Sequence, residues 1–121
     1  MEISDDLFQE LINEELNQLV SERGLKLDNL AILFDQQPSK QKLKNLNIDK
    51  YHTLLGLYEG IPLSERQGLT TTLPDRITLF KQPLVAKVNS IDDLKKAIRH
   101  TLWHEIAHYY GLNHQKINEL E

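Results

Sequence analysis

The sequence predicts an α+β domain, with a helix towards each end of the chain and a small mixed sheet of about three strands between them. Three observations carry this prediction. Apolar residues recur at three- and four-residue steps over 3–23 and again from Leu94 to Ile106. Three short runs with strand character lie between, at 29–35, 54–59 and 75–84. Both periodic segments begin after a capping residue and end at a glycine.

The first helix is expected over residues 3–23. Ile3, Leu7, Phe8, Leu11, Ile12, Leu16, Leu19 and Val20 make its apolar stripe, with acids and amides between. Ser4, Asp5 and Asp6 suit its N-terminus, where their side chains satisfy open N–H groups. Gly24 is the expected stop. "NLAILFD" (29–35) reads as a buried strand, from its β-branched and aromatic content. "QQPSKQKLKNLNIDKYH" is polar and lysine-rich, a loop with one helical turn at "KLKNL".

In "TLLGLYEGIPLSERQG" (53–68), Gly56 and Gly60 interrupt an apolar run. Residues 54–59 read as a strand and 61–67 as a turn leading outward. "DRITLFKQPL" (75–84) has the clearest alternation, with Ile77 and Leu79 on one face and Arg76, Thr78 and Phe80 on the other. Pro74 and Pro83 bracket it. The last helix starts after Ser90, the expected N-cap of a capping-box pattern with Asp93 three residues on. Leu94, Ala97, Ile98, Leu102 and Ile106 supply its packing face, and Gly111 ends it. "HQKINELE" reads as one or two further helical turns.

With 121 residues the chain fits one domain spanning 1–121. The hydrophobic fraction of 40% and the charged fraction of 26% are those of a soluble globular protein. There are no cysteines, which removes disulfides and thiolate ligands and fits a reducing compartment. "MEISDDLFQE" is acidic and lacks an apolar core, so no signal peptide is expected there. No apolar run approaches the ~20 residues that cross a bilayer. The expectation is a cytoplasmic protein without a membrane partner. A net charge of −4 argues against a nucleic-acid partner, because phosphate binding draws on clustered Lys and Arg.

Chemistry concentrates in "HEIAHYYGLNH", residues 104–114. His104 and His108 lie four apart on the last helix, so both imidazoles leave one face about one turn apart. Two nitrogens so placed can share one zinc ion at roughly 2.0–2.1 Å. Glu105, one residue round, is too far round to be a ligand but can reach a water on the metal. Gly111 lets the chain turn sharply, and His114 can swing back as the third ligand. Three protein ligands leave one position open, which is the catalytic arrangement. H-E-x-x-H arises by chance in on the order of one chain in a few hundred of this length, and the full pattern far more rarely. Its position on a capped helix ending at the glycine also fits the chemistry.

The reading is zinc-dependent peptide-bond hydrolysis, with Glu105 as general base on a zinc-bound water. The oxyanion needs a second stabiliser, and the candidates are Tyr58, Arg66, Arg76, Tyr109 and Tyr110. His100, one turn before His104, reads as a solvated helix histidine, with a supporting role at the metal as the alternative. His52 reads as surface.

The motif, with "LLGLYEGIPLSER" and "LPDRITLFKQPL" upstream, resembles a family of small bacterial zincin-like metallopeptidases, sometimes called minimal zincins. The likeness runs from about residue 50 to 114. It implies a compact zincin-like fold with the sheet beside an active-site helix. It also implies Zn2+ held by His104, His108 and His114, Glu105 as base, and a peptide or protein substrate. Many members carry an acidic residue where this chain has His114. A true metzincin has a methionine turn after the third histidine, whereas the only methionine here is Met1. Zincins commonly bind a peptide as an added strand on an exposed sheet edge. By that analogy "DRITLFK" or "LLGLYEG" receives the substrate, and Gly56 and Gly60 either admit its backbone or merely shape a bulge and turn.

Two rival functions share parts of the pattern. An endoribonuclease family has the same three-histidine spacing but glycine where this chain has Glu105, and binds RNA through basic surface. A continuous positive groove to the histidines would favour it. The other rival is a catalytically inactive zinc-binding module, favoured if "NELE" supplied a fourth ligand.

Overall fold

The computed structural model describes residues 1–46, 54–61 and 74–112. In chain order the elements are α1 (Asp5–Arg23), β1 (Leu30–Asp35), α2 (Lys40–Asn45), β2 (Gly56–Glu59), β3 (Asp75–Phe80), α3 (Lys81–Ala86) and α4 (Ile91–Tyr110). The sheet order is β1-β3-β2. β1 runs parallel to β3, with Ile32 opposite Ile77, and β2 runs antiparallel to it, with Tyr58 opposite Ile77. The expected α+β fold with a mixed three-stranded sheet is therefore what the chain adopts.

The two long helices form where their caps allow. Ser4 accepts from the Leu7 N–H and Ser90 from the Asp93 N–H, each satisfying an amide that the first turn leaves open. At the other ends Gly24 (φ 62°) and Gly111 (φ 84°) take left-handed caps. The buried faces of both helices share one core with the sheet: Phe8, Leu11, Ile12 and Leu19 of α1, Ile98, Leu102 and Ile106 of α4, and Ile77 and Leu79 of β3. Each fully buried aliphatic side chain here contributes about 1.5–3 kcal/mol relative to exposure. Phe8 also meets Phe34 edge-to-face at 5.1 Å, which ties α1 to β1.

Two expectations need correction. β1 is not a fully buried strand. Leu30, Ile32 and Phe34 pack on the core, while Leu33 is 47% exposed, because β1 stands at the edge of the sheet. The strand expected over 75–84 ends at Phe80, and α3 replaces its second half. Pro83 sits in the first turn of α3, where its missing N–H breaks no helical bond. The alternation expected along β3 places its side chains on two faces, and both faces are covered. Thr78 and Phe80 are buried along with Ile77 and Leu79, since β3 is the central strand. α2 is one residue-pair longer towards its N-terminus than the expected turn, and Ser39 caps it. The readings at 61–67 and at "HQKINELE" fall largely outside the described residues.

Lys81 is buried at the start of α3 and meets Asp5 at the start of α1 at 2.6 Å. Gln36 donates to the same carboxylate oxygen at 2.9 Å. The Lys81 bond, then the Gln36 bond, hold the Asp5 carboxyl below its ordinary 3.8. A carboxylate lowered in the folded state stabilises above its unfolded value, and loses that effect as pH falls through its folded value. Asp5→Asn should therefore lower the thermal midpoint at pH 7. In circular-dichroism melts its deficit against wild type should close below pH 3.8; a deficit that persists unchanged in acid would remove the ion pair as its cause.

Candidate functional site

His104 and His108 leave the same face of α4, with ring centroids 4.9 Å apart and ring planes at 72°. Both are half-buried. Their spacing is the one that helical periodicity requires, one turn along a rigid element. Glu105 lies between them in sequence and turns inward, only 9% exposed.

Glu105 reaches the edge of the sheet. The Phe80 N–H donates to the Leu55 carbonyl at 3.0 Å, and from there antiparallel alternation turns Leu57 and Glu59 towards β3. The amides of Gly56 and Tyr58 consequently face away from it. The outward Tyr58 N–H donates to Glu105 Oε1 at 3.1 Å. Burial pushes the Glu105 carboxyl up to about 7, and the Tyr58 bond acts in the opposite direction. A carboxyl near neutrality is suited to exchanging a proton at physiological pH.

Gly56 brings the strand this close. A Cβ on Gly56 would stand 2.6 Å from Thr101 Cγ2, with Leu79 Cδ2 at 3.3 Å and Glu105 Cγ at 3.4 Å. A Cβ on Gly60 would strike the Asp75 side chain. Both glycines thus serve packing within the chain. Beside Gly56 a cleft of about 240 Å³ opens, lined by Leu54, Leu55, Gly56, His100, Thr101, His104 and Glu105.

The tyrosine hydroxyls are engaged in the scaffold. Tyr58 donates to Asp75 Oδ2 at 2.6 Å and Tyr109 to the Asp28 carbonyl at 2.7 Å. Tyr110 bonds both backbone groups of Lys26, donating to the carbonyl and accepting from the N–H. Arg76 pairs with Glu59 at 3.3 Å. The four candidates for oxyanion stabilisation that are described here are accordingly structural in their contacts, while Arg66 lies outside the described residues.

The donor set fits a shared zinc ion as far as it extends: two imidazoles on one helix face, one turn apart, with a carboxyl beside them. Among the described residues no third His, Cys, Asp or Glu joins them. His114 lies outside the described residues, as does His52. His100 is exposed and lines the cleft one turn before His104. Of the two strands proposed to receive a peptide, "DRITLFK" is excluded as an edge because β3 is paired on both sides. β2 is the edge beside Glu105. The part sequence reasoning missed is the Tyr58 amide. A backbone group has no residue signature, and only the register of β2 turns it towards Glu105.

The sequence model of a family described as zincin-like metallopeptidase matches residues 27–121 of the chain. Among curated proteins none matches.

Gly56→Ala should loosen β2 from α4 and destabilise the fold by about 1–3 kcal/mol, the usual cost of overpacking. Adding Thr101→Ser removes the methyl in conflict and should recover most of the loss in urea denaturation. No recovery in the double variant would show that the Thr101 contact is not what requires glycine.

Proposed function

The chain belongs to the zincin-like metallopeptidase family, and from that premise we propose that it hydrolyses peptide bonds with zinc held by His104, His108 and His114. The observation that carries the reading is the pair of imidazoles on one face of α4, edge-on to each other, with the buried Glu105 carboxyl beside them. Zinc, when bound, would lower the pKa of water towards 7 and polarise the scissile carbonyl.

The chain's own residues would do the rest. His104 and His108 hold the metal from a rigid helix, and His114 completes the set after the Gly111 turn. Glu105 accepts the proton of the attacking water and returns it to the leaving amine. The Tyr58 N–H keeps that carboxylate at the cleft. The peptide lies along β2, where the outward backbone groups of Gly56 are offered to an added strand while the Tyr58 N–H stays on Glu105. With the tyrosine hydroxyls and Arg76 engaged in scaffold contacts, Arg66 is the candidate left to stabilise the oxyanion.

Purified protein should carry about one zinc per chain, and His108→Ala should lose it. Protein without metal, and unchanged when zinc is added, would end the zinc reading. Glu105→Gln should keep its zinc and lose at least roughly a hundredfold in rate, the scale of a general base, in an unbiased peptide-library assay. Unchanged cleavage by that variant would take Glu105 out of the mechanism.

A further inference from the structure

A second cavity opens on α4 one step from the motif. It holds about 220 Å³ and is lined by Leu19 and Arg23 of α1 and by Lys96, Arg99, His100 and Trp103 of α4. Four of these six side chains are basic or can become so, in a chain whose net charge is −4. Their positions on α4 step by three and four, so one helix face presents them together. His100 lines this cavity and also the cleft at His104 and Glu105. The two spaces therefore adjoin across one side chain.

The cationic groups are held in different ways. Arg99 is anchored to α1 by Glu22, by Gln18 at 3.0 Å and by Glu15 at 3.9 Å, so its charge is matched. The Arg23 guanidinium stacks 3.9 Å from the centre of the Trp103 ring. Among the described residues no acidic group pairs with Lys96. Trp103 is only 6% exposed, and its indole N–H is buried with no acceptor among the described residues. An orphaned buried donor costs about 1–3 kcal/mol. The cavity thus combines an unmatched positive charge with a donor that lacks a partner.

We propose that this cavity is a subsite for a carboxylate of the bound peptide, so that the preferred substrate carries an acidic side chain a few residues from the cleaved bond. The proposal rests on the peptidase reading for what brings the peptide there. Its physical basis is complementarity: an anion answers the Lys96 charge beside the Arg23–Trp103 stack, in a cavity lined by the one residue whose buried indole N–H has no acceptor among the described residues. The size is that of one side chain, below the ~300 Å³ at which small-molecule sites begin. A nucleic acid would instead need a row of phosphate contacts, and Glu15 and Glu22 stand beside this wall.

Trp103 is the only tryptophan, so its emission reports on this cavity alone. The test uses the full chain as purified, with Glu105→Gln to prevent cleavage. Octapeptides with blocked ends and no other charge carry one Glu at each position in turn, each with a Gln counterpart. At one register the Glu peptide should bind roughly tenfold more tightly than its Gln counterpart, about 1.4 kcal/mol. That preference should weaken with salt and fall below about threefold in Lys96→Gln, an exposed substitution that leaves the fold intact. No preference at any position, or one that survives Lys96→Gln combined with Arg23→Gln, would overturn the subsite. So would inorganic phosphate or a short RNA binding more tightly than the best peptide. The measurement needs neither zinc nor turnover. A chain that shows the Glu preference but cleaves nothing would overturn the hydrolysis and leave the subsite standing.

Discussion

The close seating of α4 against the sheet is the contact on which the rest of the site depends. Thr101 occupies the space that any side chain at position 56 would need, and Leu79 closes it from β3. That approach lets a carboxyl one turn further along α4 reach an amide of β2. Without it the Tyr58 N–H would face solvent and Glu105 would have no partner at the sheet edge. The helix fixes the imidazoles, and the helix–sheet distance fixes the carboxyl. These are separate constraints, met by different residues.

The aromatic hydroxyls show how little polar machinery a small domain can spare. Tyr109 and Tyr110 tie the end of α4 to the chain after α1, through Asp28 and Lys26. Tyr58 ties β2 to the start of β3 through the buried Asp75. Each bond satisfies a group that burial would otherwise leave costly. The same bonds hold the two walls of the cleft, so the tyrosines act on the site through position rather than contact. Rings follow the same logic, with Tyr58 edge-on to Tyr109 at 6.3 Å across the helix–strand junction.

Charge is unevenly distributed around α4. Its first turn carries Asp92 and Asp93, which suits the positive end of the helix. Its middle carries Lys95, Lys96 and Arg99, and α1 answers two of them, with Glu14 to Lys95 and with Glu15 and Glu22 to Arg99. Exposed pairs of this kind add little stability, typically below about 1 kcal/mol each. Their effect is to orient α4 on α1 and to leave Lys96 as the charge turned to the cavity.

Local signals in the chain carry far. The two long helices, their serine caps and glycine ends, and the pairing of His104 with His108 all follow from interactions within a few residues, and periodicity and caps record those directly. The zincin-like family was legible in the motif and the segments upstream of it, and the three strand-forming runs in their composition. Long-range facts were not. Whether 29–35 would be buried, where the 75–84 run would turn into α3, and which strand would be central depend on neighbours that a local pattern does not name. The outward Tyr58 amide depends on strand register, and the meeting of Arg23 with Trp103 depends on how α1 crosses α4. Spacing of Lys96, Arg99, His100 and Trp103 hinted at a shared face, but their meaning came only when α1 supplied the opposite wall. Sequence alone determined which groups one helix presents; tertiary packing decided what stands across from them, because that distance is set by side chains far apart in the chain.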